Sequence, residues 1–319
     1  MDKLRVGVIG LGHLGNYHLQ KYLNIAECQV FGVADVLLEK AEKAAATCGC
    51  PAFSDYRSLI GSVDAVSIAV PTAAHHEVAR AFLEAGVDVL LEKPITRTMA
   101  EADELVALAD AGERIFQIGL IERFNPAIIA LHRVMGKPLF IESHRLHPFF
   151  ERGTDVDVIL DLMIHDLDII LHFVKSPVCH VDAVGVPVLS DKIDIANVRL
   201  TFDSGCVANI TASRVTGKTM QKIRFFGTEG YHAVDYGKRD LVSLHKGRDA
   251  EGKVTITDNK IEVIQHDPLD QEIRSFVKAV QTRSVPAVSG REGREALALA
   301  LIILEKMRTA QETAMNQPL

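Results

Sequence analysis

Three things are scarce in this 319-residue chain, and each scarcity excludes a class of protein. Apolar runs are short: none approaches the roughly 18–20 residues that a helix needs to cross a bilayer, so no membrane-spanning segment is expected. Basic runs are missing as well. The net charge is −7, and without clustered Lys and Arg the chain has no electrostatic footprint for nucleic acid. The five cysteines (Cys28, Cys48, Cys50, Cys179 and Cys206) are odd in number and scattered. They give no disulfide framework and suit a reducing compartment. Cys48 and Cys50 form too isolated a pair for a metal knuckle. No internal repeat or low-complexity tract is found. The first apolar run, LRVGVIG, begins at Leu4. That leaves no room for a charged leader and cleavage site, and a cytoplasmic location is the expectation.

What is abundant is core material. Hydrophobic residues make up 48% of the chain and charged ones 24%, and the length is about that of two domains. The first third alternates short Val/Ile/Ala runs (4–9, 29–34, 65–70, 88–91, 115–118) with amphipathic segments (14–23, 37–47, 73–85, 99–111). Strands alternating with helices of ten or more residues predict βαβ units and a parallel sheet. Beyond Gly119 the rhythm changes. After one or two helices come LFIESHRL, CHVDAVGVPV, IDIANVRLTF, CVANITASRV, QKIRFFGT and YHAVDY, with turn signals such as DSG and TEG between them. Tight turns between successive strands predict antiparallel pairing. PLDQEIRSFVKAVQT and GREGREALALALIILEKM close the chain as two helices. The expected fold is α/β: a first domain over residues 1–121 of Rossmann type, then an α+β domain over 122–319 with a large, mostly antiparallel open sheet, the last helices free to pack back on the first domain.

Chemistry first shows in VGVIGLGHLGNYH. Gly10-x-Gly12-x-x-Gly15, with His13 and Leu14 between its last two glycines, follows a predicted strand and opens a predicted helix. Asp35 ends the next strand twenty residues after Gly15. That is where a carboxylate accepts hydrogen bonds from an adenosine ribose, while the pyrophosphate sits on the helix N-terminus. A carboxylate there repels a 2′-phosphate, so the expected cofactor is NAD and not NADP.

A second signal is DVILDLMIHDLDIILHFV, residues 157–174. At about 100° per helical residue, Asp161, His165, Asp168 and His172 fall within about 60° of one another, a polar stripe on a helix otherwise built for burial apart from Asp166. Such groups pair, bind a metal or do chemistry. Asp161, His165 and His172 share a face, but no further metal ligand is evident, and none is expected. Asp168 and His172 are expected to tie the helix to its neighbours.

LLEKPITRT then carries Glu92-Lys93-Pro94 at the end of the fourth predicted strand. Together with the glycine turn, Asp161-x-x-x-His165, PTAAHHEVA, FFGTEG and SGREGREAL, it resembles the glucose–fructose oxidoreductase / inositol dehydrogenase / MocA family over nearly the whole chain. The resemblance implies an NAD-dependent dehydrogenase acting on a secondary alcohol, with oligomers (homodimer or homotetramer) packed through the second domain's sheet. It implies that Lys93 lies near nicotinamide and substrate, often before a cis proline, and that Pro71, His75 and Glu92 help to line the cofactor site. It also implies that the Asp161/His165 helix faces the cleft between the domains. His165 suits the role of base, Asp161 either orients the imidazole or meets a substrate hydroxyl, and Lys93 bonds the reacting oxygen. Which of Lys93 and His165 takes the proton stays open.

Within that family the segment Glu122-Arg123-Phe124-Asn125-Pro126, and Met163 between Asp161 and His165, are most similar to the UDP-N-acetylglucosamine 3-dehydrogenases that begin installing a 3-amino sugar for lipid A. Arg123 is expected to meet a phosphate or carboxylate and Asn125 a sugar hydroxyl or acetamido group, with a helix cap as the plain alternative for both. Arg145, His147 and Arg152 either meet a diphosphate or decorate a solvated sheet face. Oxidation of a free polyol, and a non-catalytic NAD(H) sensor, are the alternatives; an intact Lys93, Asp161 and His165 argue against a sensor.

Overall fold

The structure, a computed structural model, describes residues 3–149 and 156–315. It divides into two compact units: Met1–Ile121 with Asp267–Leu297, and Glu122–His266 with Ala298–Leu319.

In the first unit β1 (Leu4–Ile9), α1 (His13–Leu23), β2 (Cys28–Ala34), α2 (Leu38–Cys48), β3 (Ala52–Phe53), β4 (Ala65–Ile68), α3 (His75–Glu84), β5 (Asp88–Glu92), α4 (Met99–Ala111) and β6 (Phe116–Gly119) follow one another. The six strands are all parallel, in the order β3-β2-β1-β4-β5-β6. Every residue of β4 and β5 is buried, as a sheet covered on both faces requires. The order reverses between β1 and β4, and the crevice at the carboxyl ends of those strands is where such sheets bind ligands. Local chemistry sets the helix starts. Thr98 and Glu101 form a reciprocal capping box on α4.

The second unit contains α5 (Pro126–Leu131), β7 (Phe140–Leu146), α6 (Ile164–Val174), β8 (Val178–Val186), β9 (Ile195–Phe202), β10 (Val207–Ser213), β11 (Met220–Phe226), β12 (Gly230–Asp235), β13 (Asp240–Arg248) and β14 (Val254–Asp258). Its eight strands run β14-β13-β12-β11-β7-β10-β9-β8. All neighbours are antiparallel except β7 and β10, which are parallel, with α6, β8 and β9 lying between them in the chain. Strand β13, with its alternation of Leu241, Ser243 and polar residues, and strand β14, largely exposed, lie beyond the strands expected from apolar patterning. One face of the sheet buries Val198, Leu200, Ile210, Ile223 and Phe225 against α5 and α6.

The chain ends with α7 (Pro268–Thr282), capped by Asp267, and α8 (Gly290–Met315). Helix α7 packs Ile273, Phe276 and Val277 into the core of the first unit with Val6, Leu19 and Leu90. The carboxylate of Asp267 also receives Lys21 of α1 at 2.7 Å.

Candidate functional site

Close packing explains two of the three motif glycines. Gly10 has φ +87°, and a Cβ there would lie 2.7 Å from the carbonyl of Ala69. At Gly15 a Cβ would lie 1.7 Å from the carbonyl oxygen of Gly10, so α1 approaches the turn only without a side chain. Gly12 has open space around it, as close approach by a ligand's phosphates needs. The first turn of α1 holds no acidic residue and Gly12 offers no side-chain cap, so its N–H groups and dipole face outward for an anion. His13 and Leu14 are exposed at this helix start, the His13 ring standing edge-on to Tyr17 at 4.6 Å.

Asp35 holds the turn from the next strand. Its carboxylate accepts the backbone N–H of Leu11 at 2.7 Å and that of Leu37 at 2.9 Å. Each oxygen keeps lone-pair capacity for a ribose hydroxyl. A cavity of about 850 Å³ is lined by Gly10, Gly12, Asp35, Tyr56 and Pro71, among others. That volume suits half of a dinucleotide. The glycine spacing, the open Gly12 and the placement of Asp35 therefore fit NAD, whose adenosine and pyrophosphate these residues would hold.

At the end of β5, Lys93 is half-buried and its peptide to Pro94 is cis. Glu92 and His75, both expected to line the cofactor site, are buried. Glu92 accepts His18 Nε2 at 3.1 Å and the Lys93 N–H at 3.2 Å. Burial alone would raise its carboxyl, but His18 and then Lys93 hold it below the usual range. His75 is 1% exposed, with Nδ1 2.8 Å from the Pro94 carbonyl and Nε2 3.0 Å from that of Val70. Burial lowers its pKa against the pull of those carbonyls. The polar atoms of both residues are engaged by backbone and, for Glu92, by His18.

In the second unit the expected single α-helix over 157–174 is interrupted. Ile159–Met163 is a π-helical turn, and α-geometry begins at Ile164. Such turns are frequent at functional sites, and this one carries Asp161. Asp161 and His165 are half-buried, while Met163 between them is fully buried. The rest of the stripe is structural. Asp168, 2% exposed, accepts Arg123 Nε at 2.8 Å, and the Arg123 guanidinium also meets His172 Nδ1. His172 Nε2 lies 3.0 Å from His132, and burial followed by Arg123 pushes its pKa down to about 3.

Four further residues of these segments lie against protein partners. Arg123 is 8% exposed, and its guanidinium lies against Asp168 and His172 of α6. Asn125 is the N-cap of α5: its Oδ1 accepts Ala127 N–H, and its amide donates to Glu122 and to the Tyr236 carbonyl. Asp166, the one residue set apart from the buried pattern, is fully buried. It accepts Arg145 Nε at 2.7 Å and Ser143 Oγ at 2.9 Å. Arg145 is thus not on a solvated sheet face; it bridges Asp166 to Glu122 and lies 4.7 Å over the Tyr236 ring. His147 Nδ1 faces the Pro148 carbonyl at 2.5 Å. Arg152 lies outside the described residues.

Comparison with known proteins agrees with this geometry. Residues 4–120 match the oxidoreductase family with an NAD-binding Rossmann fold, GFO_IDH_MocA, and residues 132–232 match the GFO/IDH/MocA C-terminal domain. The chain belongs to the GFO/IDH/MocA oxidoreductase family. It is 40% identical to the UDP-N-acetylglucosamine 3-dehydrogenase of Acidithiobacillus ferrooxidans over 94% of this chain and 96% of that one. The crystal structure under that name superposes with TM-score 0.90 at 39% identity, covering 97% of this chain and 99% of the other. A myo-inositol 2-dehydrogenase of Thermotoga maritima is 27% identical over 93% of this chain and 94% of its own. As a member of this family the chain is an NAD-binding oxidoreductase.

Sequence reasoning missed one polar group of this oxidoreductase entirely. His18, Glu92 and Glu272 bring a ring nitrogen and two carboxyl oxygens within 4.8 Å of one another. The signal available was small: His18 lies on the buried stripe of α1 with Gly15, Leu19 and Tyr22. Its partner Glu272 is 254 residues away in the chain and carries no local mark.

Proposed function

We propose that this oxidoreductase oxidises the C3 hydroxyl of UDP-N-acetylglucosamine, or of a closely related UDP-sugar, to a ketone. What carries the substrate reading is the 40% identity, over 94% of the chain, to a UDP-N-acetylglucosamine 3-dehydrogenase. Bound NAD+ supplies the hydride acceptor. Oxidation moves the C3 hydrogen as hydride and releases the hydroxyl proton to a base. We assign Lys93 and His165 to that hydroxyl, one to take the proton and the other to stabilise the charge that develops on oxygen, and Asp161 to orient the imidazole or a neighbouring hydroxyl. Gly10, Gly12, His13, Leu14, Gly15, Asp35 and Pro71 are assigned to the dinucleotide. Arg123, Asn125, Glu92 and His75 serve by holding these groups in position. A homodimer or homotetramer in the cytoplasm is part of the same reading, and light scattering checks the assembly.

The test is NADH formation by the purified protein with NAD+ and UDP-N-acetylglucosamine, a carbonyl trap drawing the uphill oxidation forward. NADH with the UDP-sugar but not with free N-acetylglucosamine supports the reading. Turnover of a free polyol, unaffected by added UDP, replaces it with the activity named for the inositol relative. Failure of every UDP-hexosamine to bind the NAD-loaded protein removes it.

A further inference from the structure

Directly beneath the Lys93 segment lies a buried polar cluster that the proposed chemistry does not use. From α1, His18 and Tyr22 point inward; from β4, Ser67; from the end of β5, Glu92 and Lys93; from β6, Gln117; and from α7, Glu272. His18 Nδ1 meets Ser67 Oγ at 3.1 Å, and Ser67 Oγ meets the Tyr22 hydroxyl at 2.8 Å. His18 Nε2 faces Glu92 Oε1, and the Lys93 N–H reaches Glu92 Oε2. Gln117 donates through Nε2 to the main-chain oxygen of Glu272 at 3.2 Å.

The hydrogen-bond inventory does not close. Glu272 is 0% exposed, and neither of its carboxyl oxygens has a partner among the described residues; the same is true of Gln117 Oε1. The donors facing this space, His18 Nε2 and the Lys93 N–H, are both engaged by Glu92. Three buried acceptors are thus left without a donor, and two carboxyl groups lie within 4.8 Å of each other. Two carboxylates at such a distance away from water do not both ionise. A proton on Glu272 removes the second charge and converts one surplus acceptor into a donor.

We infer that Glu272 is a positioning residue for the Lys93 segment and acts as a neutral carboxylic acid, its proton supplying the donor the cluster lacks. Burial, and secondarily the Glu92 charge, push the Glu272 carboxyl far above the usual range. Glu92, kept ionised by His18 and Lys93, is the fixed member that holds the Lys93 backbone. The charged and titratable groups facing Glu272 are Glu92, His18 and Tyr22, with Lys93 acting on Glu92. The role given to Lys93 rests on the proposed dehydrogenase reading; the protonation of Glu272 does not.

The sign of the pH dependence follows from linkage. An acid whose folded pKa is raised lends stability that is complete below its unfolded pKa and is lost as pH rises toward the folded one. The experiment compares full-length wild type, Glu272→Gln and Glu272→Leu, with NAD present, in thermal unfolding from pH 5 to 9 and in kcat over the same range. Gln keeps an acceptor and a permanent donor without charge. Expected is a Glu272→Gln midpoint equal to wild type near pH 5 and several degrees above it at pH 9. Its kcat should lie within about threefold of wild type with a flattened alkaline limb, and Glu272→Leu should lose more than tenfold in kcat with little change in NAD affinity. Parallel midpoint curves for wild type and Glu272→Gln would refute the neutral acid. So would one equivalent of divalent metal per chain in metal analysis, lost with chelator together with stability. Unchanged kcat and pH profile in Glu272→Leu would refute the positioning role. If no UDP-hexosamine is turned over, the role for Lys93 falls with the proposed function, while the midpoint curves still decide the protonation.

Discussion

Replacing Asp35 by Asn tests the cofactor site with little change in shape, though the amide NH2 takes the place of one oxygen that accepts Leu11 or Leu37 N–H. The carboxylate accepts Leu11 N–H at 2.7 Å and Leu37 N–H at 2.9 Å, and in the complex it would also accept the two hydroxyls of the adenosine ribose. Hydrogen bonds to a charged acceptor contribute about 1.5–3 kcal/mol, against about 0.5–1.5 kcal/mol for neutral pairs. Each ribose bond should therefore weaken by roughly 1 kcal/mol, and two of them by roughly 2 kcal/mol, or about 30-fold in NAD affinity. The 2′-phosphate of NADP carries close to two charges. At about 4 Å, even at the dielectric of water, its repulsion by the carboxylate amounts to about 2 kcal/mol, and Asn removes it. Calorimetric titration of wild type and Asp35→Asn with both dinucleotides should show NAD binding weakened about 30-fold and NADP binding improved by a similar factor. An NAD affinity within threefold of wild type, with no gain for NADP, would mean that Asp35 only buttresses the Leu11 turn.

The remaining predictions follow the same geometry. Gly15→Ala should abolish NAD binding or folding, since its Cβ would lie 1.7 Å from the Gly10 oxygen; a folded, NAD-binding variant by circular dichroism and titration would contradict the packing argument. Lys93→Met and His165→Asn should each lower kcat by roughly 10²–10⁴-fold while leaving NAD affinity nearly unchanged, and the pH-rate profile of each should show which of the two is the base. Asp166→Asn leaves Arg145 buried beside Glu122 with one charge lost. It should destabilise the second unit by about 3–5 kcal/mol in denaturant unfolding, and a loss below about 1 kcal/mol would show the pair to be dispensable.

Much of the fold was legible because its patterns are local. Helices α4 and α7 occupy the segments that the sequence pattern predicts as helical, Met99–Ala111 and Pro268–Thr282. The glycine turn could be recognised because strand, glycines, helix and Asp35 lie within one short stretch. Strands β13 and β14 escaped because their pattern is polar and their exposure high. The parallel contact of β7 and β10 escaped because pairing across an intervening helix and two strands leaves no mark in either segment.

At the candidate site the division is sharper. Periodicity grouped Asp161, His165, Asp168 and His172, but it could not see the π turn at Ile159–Met163 or the arrival of Arg123 at Asp168 and His172. Asn125-Pro126 offered two readings, and the hydrogen bonds to Ala127, Glu122 and Tyr236 make Asn125 the cap of α5. By itself the sequence determined the fold class, the cofactor turn and the residue types available for chemistry, since backbone propensity, apolar period and glycine sterics act over a few neighbouring residues. Only the tertiary structure decided which charges are engaged: that Asp166 meets Arg145, that Glu92 turns to His18, and that Glu272 is left among acceptors. Those outcomes depend on burial and on partners up to 254 positions apart, as from His18 to Glu272, and desolvation is a property of the folded interior, not of the chain order.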